Sequence, residues 1–137
     1  MASIEPNAES IENFRLIVDN ARSQSVVCDV PQASDGGETG PTTLELALNS
    51  LARCAVTIHA DVAKKSGVVL SRLEVTAEAE KFTDSTKQSE VNTKVHVEGK
   101  ARKKLLEAMW RRKEASCPVM FIFEKPVHVK TALKAYV

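Results

Sequence analysis

Between Pro41 and Lys65 the chain carries a helical stretch so apolar that little of its surface is left for water. Pro41 or Thr42 opens it, and Gly67 is its natural stop. Leu44, Leu48, Leu51, Ala55, Ile58 and Val62 recur at helical spacing and form one stripe. Leu46, Ala47, Ala52, Val56 and Ala63 widen that stripe until the early turns are apolar nearly all round. Such a helix must be covered on most sides. A chain of 137 residues has few other elements for the task, so part of the cover is expected from a second subunit.

The remaining segments read as β structure with one more helix. Residues 1–12 are a loose polar lead. Phe14–Asp19 and Ser25–Val30 are β-prone runs joined by a hairpin connection at Asn20–Ser23. Pro31–Pro41 is rich in turn formers and forms the long irregular loop. Leu73, Val75, Ala77 and Ala79 alternate with Arg72, Glu74, Thr76, Glu78 and Glu80, a strand with one wet face. Val91, Thr93, Val95 and Val97 repeat the pattern against Asn92, Lys94, His96 and Glu98, and the polar link Phe82–Ser89 makes the pair antiparallel. Ala101–Glu114 is a helix with Leu105, Ala108, Met109 and Arg112 inward. A short apolar piece, Val119–Phe123, and a last alternating strand, Pro126–Leu133, complete an α+β fold in a single domain, 1–137.

Composition excludes several classes. With 19 basic and 18 acidic side chains, no global field draws the chain to nucleic acid or to a membrane surface. No segment reaches the ~18 apolar residues of a membrane span, and the N-terminus lacks the basic start and apolar stretch of a secretory signal. Three cysteines without export machinery indicate a reducing compartment, so the cytoplasm is expected. The cysteines and histidines have no ligand spacing, so neither zinc nor another cofactor is implied. Asp35-Gly-Gly-Glu-Thr-Gly lacks the Lys of a phosphate loop. The basic residues of the second helix (Lys103, Lys104, Arg111, Arg112) read as a solvated face, with no groove-reading motif beside them.

Two cysteines carry the chemistry. Cys54 lies within the apolar helix, where an inert small hydrophobe is the commoner fate. Cys117 precedes Pro118, which suits the first position of a helical turn and would put the sulfur near free backbone N–H groups. Cys28 alternates within a strand and packs. His59, five residues after Cys54 and ~140° round the helix, is a poor direct base and suits a buried or interface position. His96 and His128 fall on polar strand faces.

The segment Gly36-Gly-Glu-Thr-Gly-Pro-Thr-Thr-Leu-Glu-Leu-Ala-Leu-Asn-Ser-Leu-Ala-Arg-Cys54 resembles the first-cysteine helix of the OsmC/Ohr family, in a less characterised branch. Ala63-Lys-Lys-Ser-Gly, Leu73-Glu-Val, Val95-His-Val-Glu-Gly and Cys117-Pro-Val follow in the family's order. The resemblance implies antiparallel strands wrapped around two central helices in an intertwined homodimer, with sites at the subunit interface. It also implies a thiol-dependent peroxidase. Cys54 would attack an organic hydroperoxide, Cys117 would resolve the sulfenic acid, and a dithiol partner would reduce the disulfide. The resemblance gives the thiolate-supporting role to Arg22, with Arg15 as fallback, and the activating carboxylate to Glu45.

The peroxidase branches carry that Glu ten positions before the cysteine, where this chain has Leu44; Glu45 stands nine before. At ~100° per residue, Glu45 falls opposite Cys54 on a straight helix, whereas Thr43, Ala47 and Ser50 share the cysteine's side. A first-turn Glu also interacts favourably with the helix N-terminus whatever its chemistry. The alternative function is therefore a non-peroxidatic homodimer that binds a small apolar or acyl ligand at the subunit interface.

Overall fold

The computed structural model describes residues 3–81, 88–125 and 127–136. These form two compact units, residues 1–49 and 50–137.

The first unit opens on a three-stranded antiparallel sheet, in the order β1 (Asn7–Glu12), β2 (Arg15–Asp19), β3 (Ser25–Cys28). The expected loose lead is thus corrected: Ala8 pairs with Val18 and Glu9 with Ile17, so the polar segment is an exposed edge strand. Its polarity is what an edge tolerates, since one row of its backbone groups faces solvent. Asn13 turns β1 into β2 at a φ of 50°, a left-handed conformation that Asn adopts more readily than most residues. The second hairpin falls where the sequence places it. Asn20 N–H donates to Gln24 O, and the Asp19 and Asn20 carboxyl and amide oxygens accept the Ala21, Arg22 and Gln24 amides. These are the local side-chain bonds that favour Asp and Asn in turns.

The turn-rich segment after β3 is ordered by one carboxylate. Asp29 is buried and accepts N–H bonds from Val30 (2.8 Å), Gly37 (3.2 Å) and Thr39 (3.2 Å), and the Thr39 hydroxyl (2.7 Å). Glu38 N–H donates to Val30 O and Asp29 N–H to Pro41 O, so the returning chain runs alongside residues 27–30. At Gly40 this approach is so close that a Cβ would collide with the Val27 carbonyl, which is why glycine stands there.

Helix α1 covers Thr43–Lys65. A capping box starts it: Thr42 Oγ1 accepts the Glu45 N–H at 3.3 Å, and Thr42 N–H donates to Glu45 Oε2 at 3.0 Å. Gly67, at a φ of 68°, ends it in the expected place; Gly67 N–H reaches Lys64 O and Val68 N–H reaches Ala63 O, the paired bonds of a Schellman stop.

In the second unit the deeply buried line of α1 is Leu51, Ala55, His59 and Ala63. His59 therefore lies within the apolar stripe. Strands β4 (Leu70–Lys81) and β5 (Gln88–Gly99) pair antiparallel with Leu73 opposite Val97, Val75 opposite Val95 and Ala79 opposite Val91. These residues form a half-buried apolar face; the other face carries the expected charges, including Lys94–Glu78 (2.9 Å) and Arg72–Glu74 (2.7 Å) pairs. Of the polar link expected at 82–89, residues 82–87 lie outside the described residues, and Gln88 and Ser89 already belong to β5.

Helix α2 runs Lys103–Ser116 and α3 runs Pro118–Glu124, so the apolar piece after Cys117 is helical. The inner face of α2 is corrected too. Met109 is buried and Leu106 and Ala108 are half-buried, whereas Leu105 and Arg112 are exposed. The last strand, expected at Pro126–Leu133, is not formed: residues 127–136 have no regular secondary structure, and Pro126 lies outside the described residues. A strand requires a ladder partner, and among the described residues none pairs with this segment. Alternation alone does not supply one. Among the described residues no helix is long and apolar enough to cross a membrane.

Candidate active site

Within the second unit the fold brings two distant residues together. Cys54 is carried by the middle of α1 and is half-buried; Cys117 links α2 to α3 and is 4% exposed. The Cys117 Sγ–H points to Cys54 Sγ at 3.1 Å, and the two sulfurs are not bonded to each other. An S–S bond spans about 2.05 Å, so closing it takes a movement of about 1 Å.

The chain around Cys117 explains how its sulfur is held. Cys117 has extended backbone (φ −82°, ψ 107°), which breaks the helical run between α2 and α3. Pro118 follows at the first helical position, where its fixed φ suits a helix and its missing N–H leaves no orphan donor. Cys117 Sγ accepts the Met120 N–H at 3.5 Å, and Cys117 O accepts the Phe121 N–H at 3.2 Å. The half-buried Cys54 is the more accessible of the two to a small molecule.

The other residues named from sequence lie in the first unit. Arg22 is exposed in the β2–β3 turn. Glu45 closes the capping box of α1, the helix-start interaction open to any first-turn Glu. Arg15 is on β2, half-buried; its Nε donates to Thr39 Oγ1 at 2.9 Å and lies 3.7 Å from Asp29 Oδ2. The structure thus gives Arg15 a partner that its strand position did not suggest. Cys28 is buried, as its alternation indicates.

Two features are not evident from the residue pattern. Asp29 reads in the sequence only as part of a β-prone run. Its signal was an Asp between a strand and a Gly-rich loop, a place where a carboxylate can gather loop amides. The Thr39 hydroxyl does most to hold its pKa down at about 2, followed by the Val30 amide, against the opposing effect of burial, with the Thr39 and Gly37 amides adding to the lowering. The second is the contact between His59 and Trp110, whose ring centroids are 5.6 Å apart and tilted by 39°. Here the signal was the four-residue step from Leu51 through Ala55 and His59 to Ala63. Among the described residues no three His, Cys, Asp or Glu side chains gather as metal ligands would.

The family described as OsmC-like protein matches residues 35–132, and the chain belongs to it. Solved structures agree on the fold. An OsmC-like protein from Mycoplasma pneumoniae superposes with a TM-score of 0.80 at 14% identity, covering 91% of this chain and 89% of that one. An organic hydroperoxide resistance protein OsmC from Legionella pneumophila gives 0.64 at 15% identity, covering 89% and 90%. An OsmC-like hydroperoxide resistance protein from Jannaschia sp. gives 0.59 at 15% identity, covering 95% and 91%. At such identities these likenesses speak for the fold alone. No curated protein matches the chain significantly.

Proposed function

We propose that this protein is a thiol-dependent peroxidase that reduces organic hydroperoxides. The observation that carries the reading is the 3.1 Å separation of the Cys54 and Cys117 sulfurs, from positions far apart in sequence. In the first step the Cys54 thiolate attacks the distal peroxide oxygen. The O–O bond breaks, an S–O bond forms, and the alkoxide leaves as alcohol after taking a proton. Cys117 sulfur then attacks the sulfenic acid; the S–S bond forms and the S–O oxygen departs as water. A dithiol restores both thiols by exchange. The less exposed Cys117, held by Met120, suits the resolving role, and the more accessible Cys54 suits the first attack.

The same reading has the protein act as a homodimer, because large apolar side chains stand in water along the C-terminal segment. Membership of a family with hydroperoxide-resistance structures among its folds is consistent with it.

The test is titration of the reduced protein with cumene hydroperoxide, followed by thiol counting and non-reducing electrophoresis. Two thiols per chain are expected to disappear rapidly, with a fast-migrating intramolecular disulfide, and Cys54→Ser is expected to abolish peroxide consumption. Arg22→Gln and Glu45→Gln test, in the same assay, the roles that the resemblance gives those residues; Gln keeps the capping box intact. Slow, unselective oxidation that is the same in Cys54→Ser sinks the peroxidase and favours the ligand-binding dimer, since Leu44 stands where peroxidase branches carry their Glu.

A further inference from the structure

The Cys117 sulfur performs two tasks at once. It faces Cys54 Sγ at 3.1 Å, and it is the side-chain cap of α3, accepting the Met120 N–H at 3.5 Å. Helix α3 is short and mostly exposed, with Val119 and Met120 half-buried. It spans only Pro118–Glu124, none of its residues is fully buried, and Phe121, Ile122 and Phe123 are exposed. A helix so short is not stable by propensity, so each cap bond weighs heavily on its first turn. The Met120 bond, at 3.5 Å, depends on where that sulfur stands. Joining Cys117 to Cys54 would bring the two sulfurs about 1 Å closer and fix the dihedral about the new bond near ±90°, re-aiming the Cys117 sulfur.

We propose that Cys117 is a redox-linked helix cap: the oxidation that joins it to Cys54 uncaps α3 and loosens its first turn. The inference rests on reading Cys54 and Cys117 as a disulfide-forming pair. The redox state of the site is thereby passed to an exposed apolar helix, which a reductant or partner can sense without entering the site. Restoring the dithiol restores the cap.

Amide hydrogen exchange on the full-length, nitrogen-15-labelled protein tests this, comparing the fully reduced form with one oxidised by diamide. That diazene takes up two electrons and both thiol protons to become a hydrazine, while one S–S bond replaces two S–H bonds, so no peroxide chemistry is involved. Exchange at the Met120 amide is expected to be about fivefold faster in the oxidised form, the scale of a lost side-chain cap, with the β4–β5 amides unchanged. Cys117→Ser keeps a capping oxygen and cannot form the bond, and Cys54→Ser keeps the capping sulfur; in both, diamide is expected to leave Met120 unaltered. Equal Met120 exchange in the two states, with the disulfide established by thiol count, overturns the redox cap while leaving the peroxidase reading standing. Absence of any disulfide with diamide overturns both. A disulfide formed by diamide but not by hydroperoxide removes the peroxidase alone, and the cap is then decided by Met120.

Discussion

Asp29 shows how much order one side chain can impose. Its two oxygens accept four donors from Val30, Gly37 and Thr39, and the Arg15 guanidinium lies close by. Because these bonds favour the ionised form, its folded pKa of about 2 stands below the ordinary 3.8. The direction of the pH effect follows. A depressed carboxylate pKa stabilises the fold fully above the unfolded value, and that stabilisation is lost as pH falls from about 4 to about 2. Asp29→Asn offers a single acceptor oxygen, so the variant is expected to be less stable than the parent at pH 7. Urea unfolding at pH 7, 4, 3 and 2 is expected to show the gap narrowing towards the acid end, because the parent loses its advantage on protonation. A gap of constant size from pH 7 to pH 2 refutes the assignment.

At the scale of elements, α1 is the most legible part of the chain because both of its ends are written in local chemistry. The Thr42–Glu45 box and the Gly67 stop are formed by residues close to one another in sequence. Each can be removed separately. Glu45→Ala takes away one half of the box, and Gly67→Ala forces a Cβ into the left-handed region; each is expected to cost about 1 kcal/mol. For a chain of this size that lowers the thermal midpoint by about 3 °C. The two sites lie at opposite ends of a 23-residue helix, far enough apart for the double variant to show the sum of the two losses. A double variant no worse than either single one removes the claim that the ends act independently. Strands β4 and β5 were equally legible, since alternation set their faces. What the sequence did not disclose depends on distant partners. Strand β1 carries no apolar face and exists because β2 pairs with it. Residues 126–133 alternate like a strand, yet the described part takes no strand conformation because pairing is not encoded by alternation. At the candidate site, the two thiols were legible as residues and the turn at Pro118 as local structure. Their approach to 3.1 Å is a product of tertiary packing that no spacing in the sequence encodes.

At the scale of the whole molecule, the burden falls on the apolar surface that one chain leaves uncovered. Leu133 and Tyr136 are 90% and 89% exposed, Val127 and Val129 stand in water nearby in sequence, and Phe121, Ile122 and Phe123 project from α3. The apolar face of β4–β5 is only half-buried, and a two-stranded ribbon is marginal by itself. A segment with alternating apolar side chains and, among the described residues, no ladder partner suits addition to a sheet edge, where ladder bonds and side-chain burial come together. A second copy of this chain is the partner we propose. Sedimentation equilibrium at micromolar concentrations is then expected to give twice the 15.0 kDa chain mass. The thermal midpoint is expected to rise with protein concentration, because an associating native state is stabilised by mass action. Leu133→Asp with Tyr136→Asp places two charges in the segment without touching either cysteine. It is expected to shift the equilibrium at least tenfold towards monomer, since each buried apolar side chain of this size contributes about 1.5–3 kcal/mol. A monomer at 100 µM in the parent protein, with a midpoint that does not move with concentration, refutes the association. The exposed C-terminal side chains would then belong to a surface with some other use.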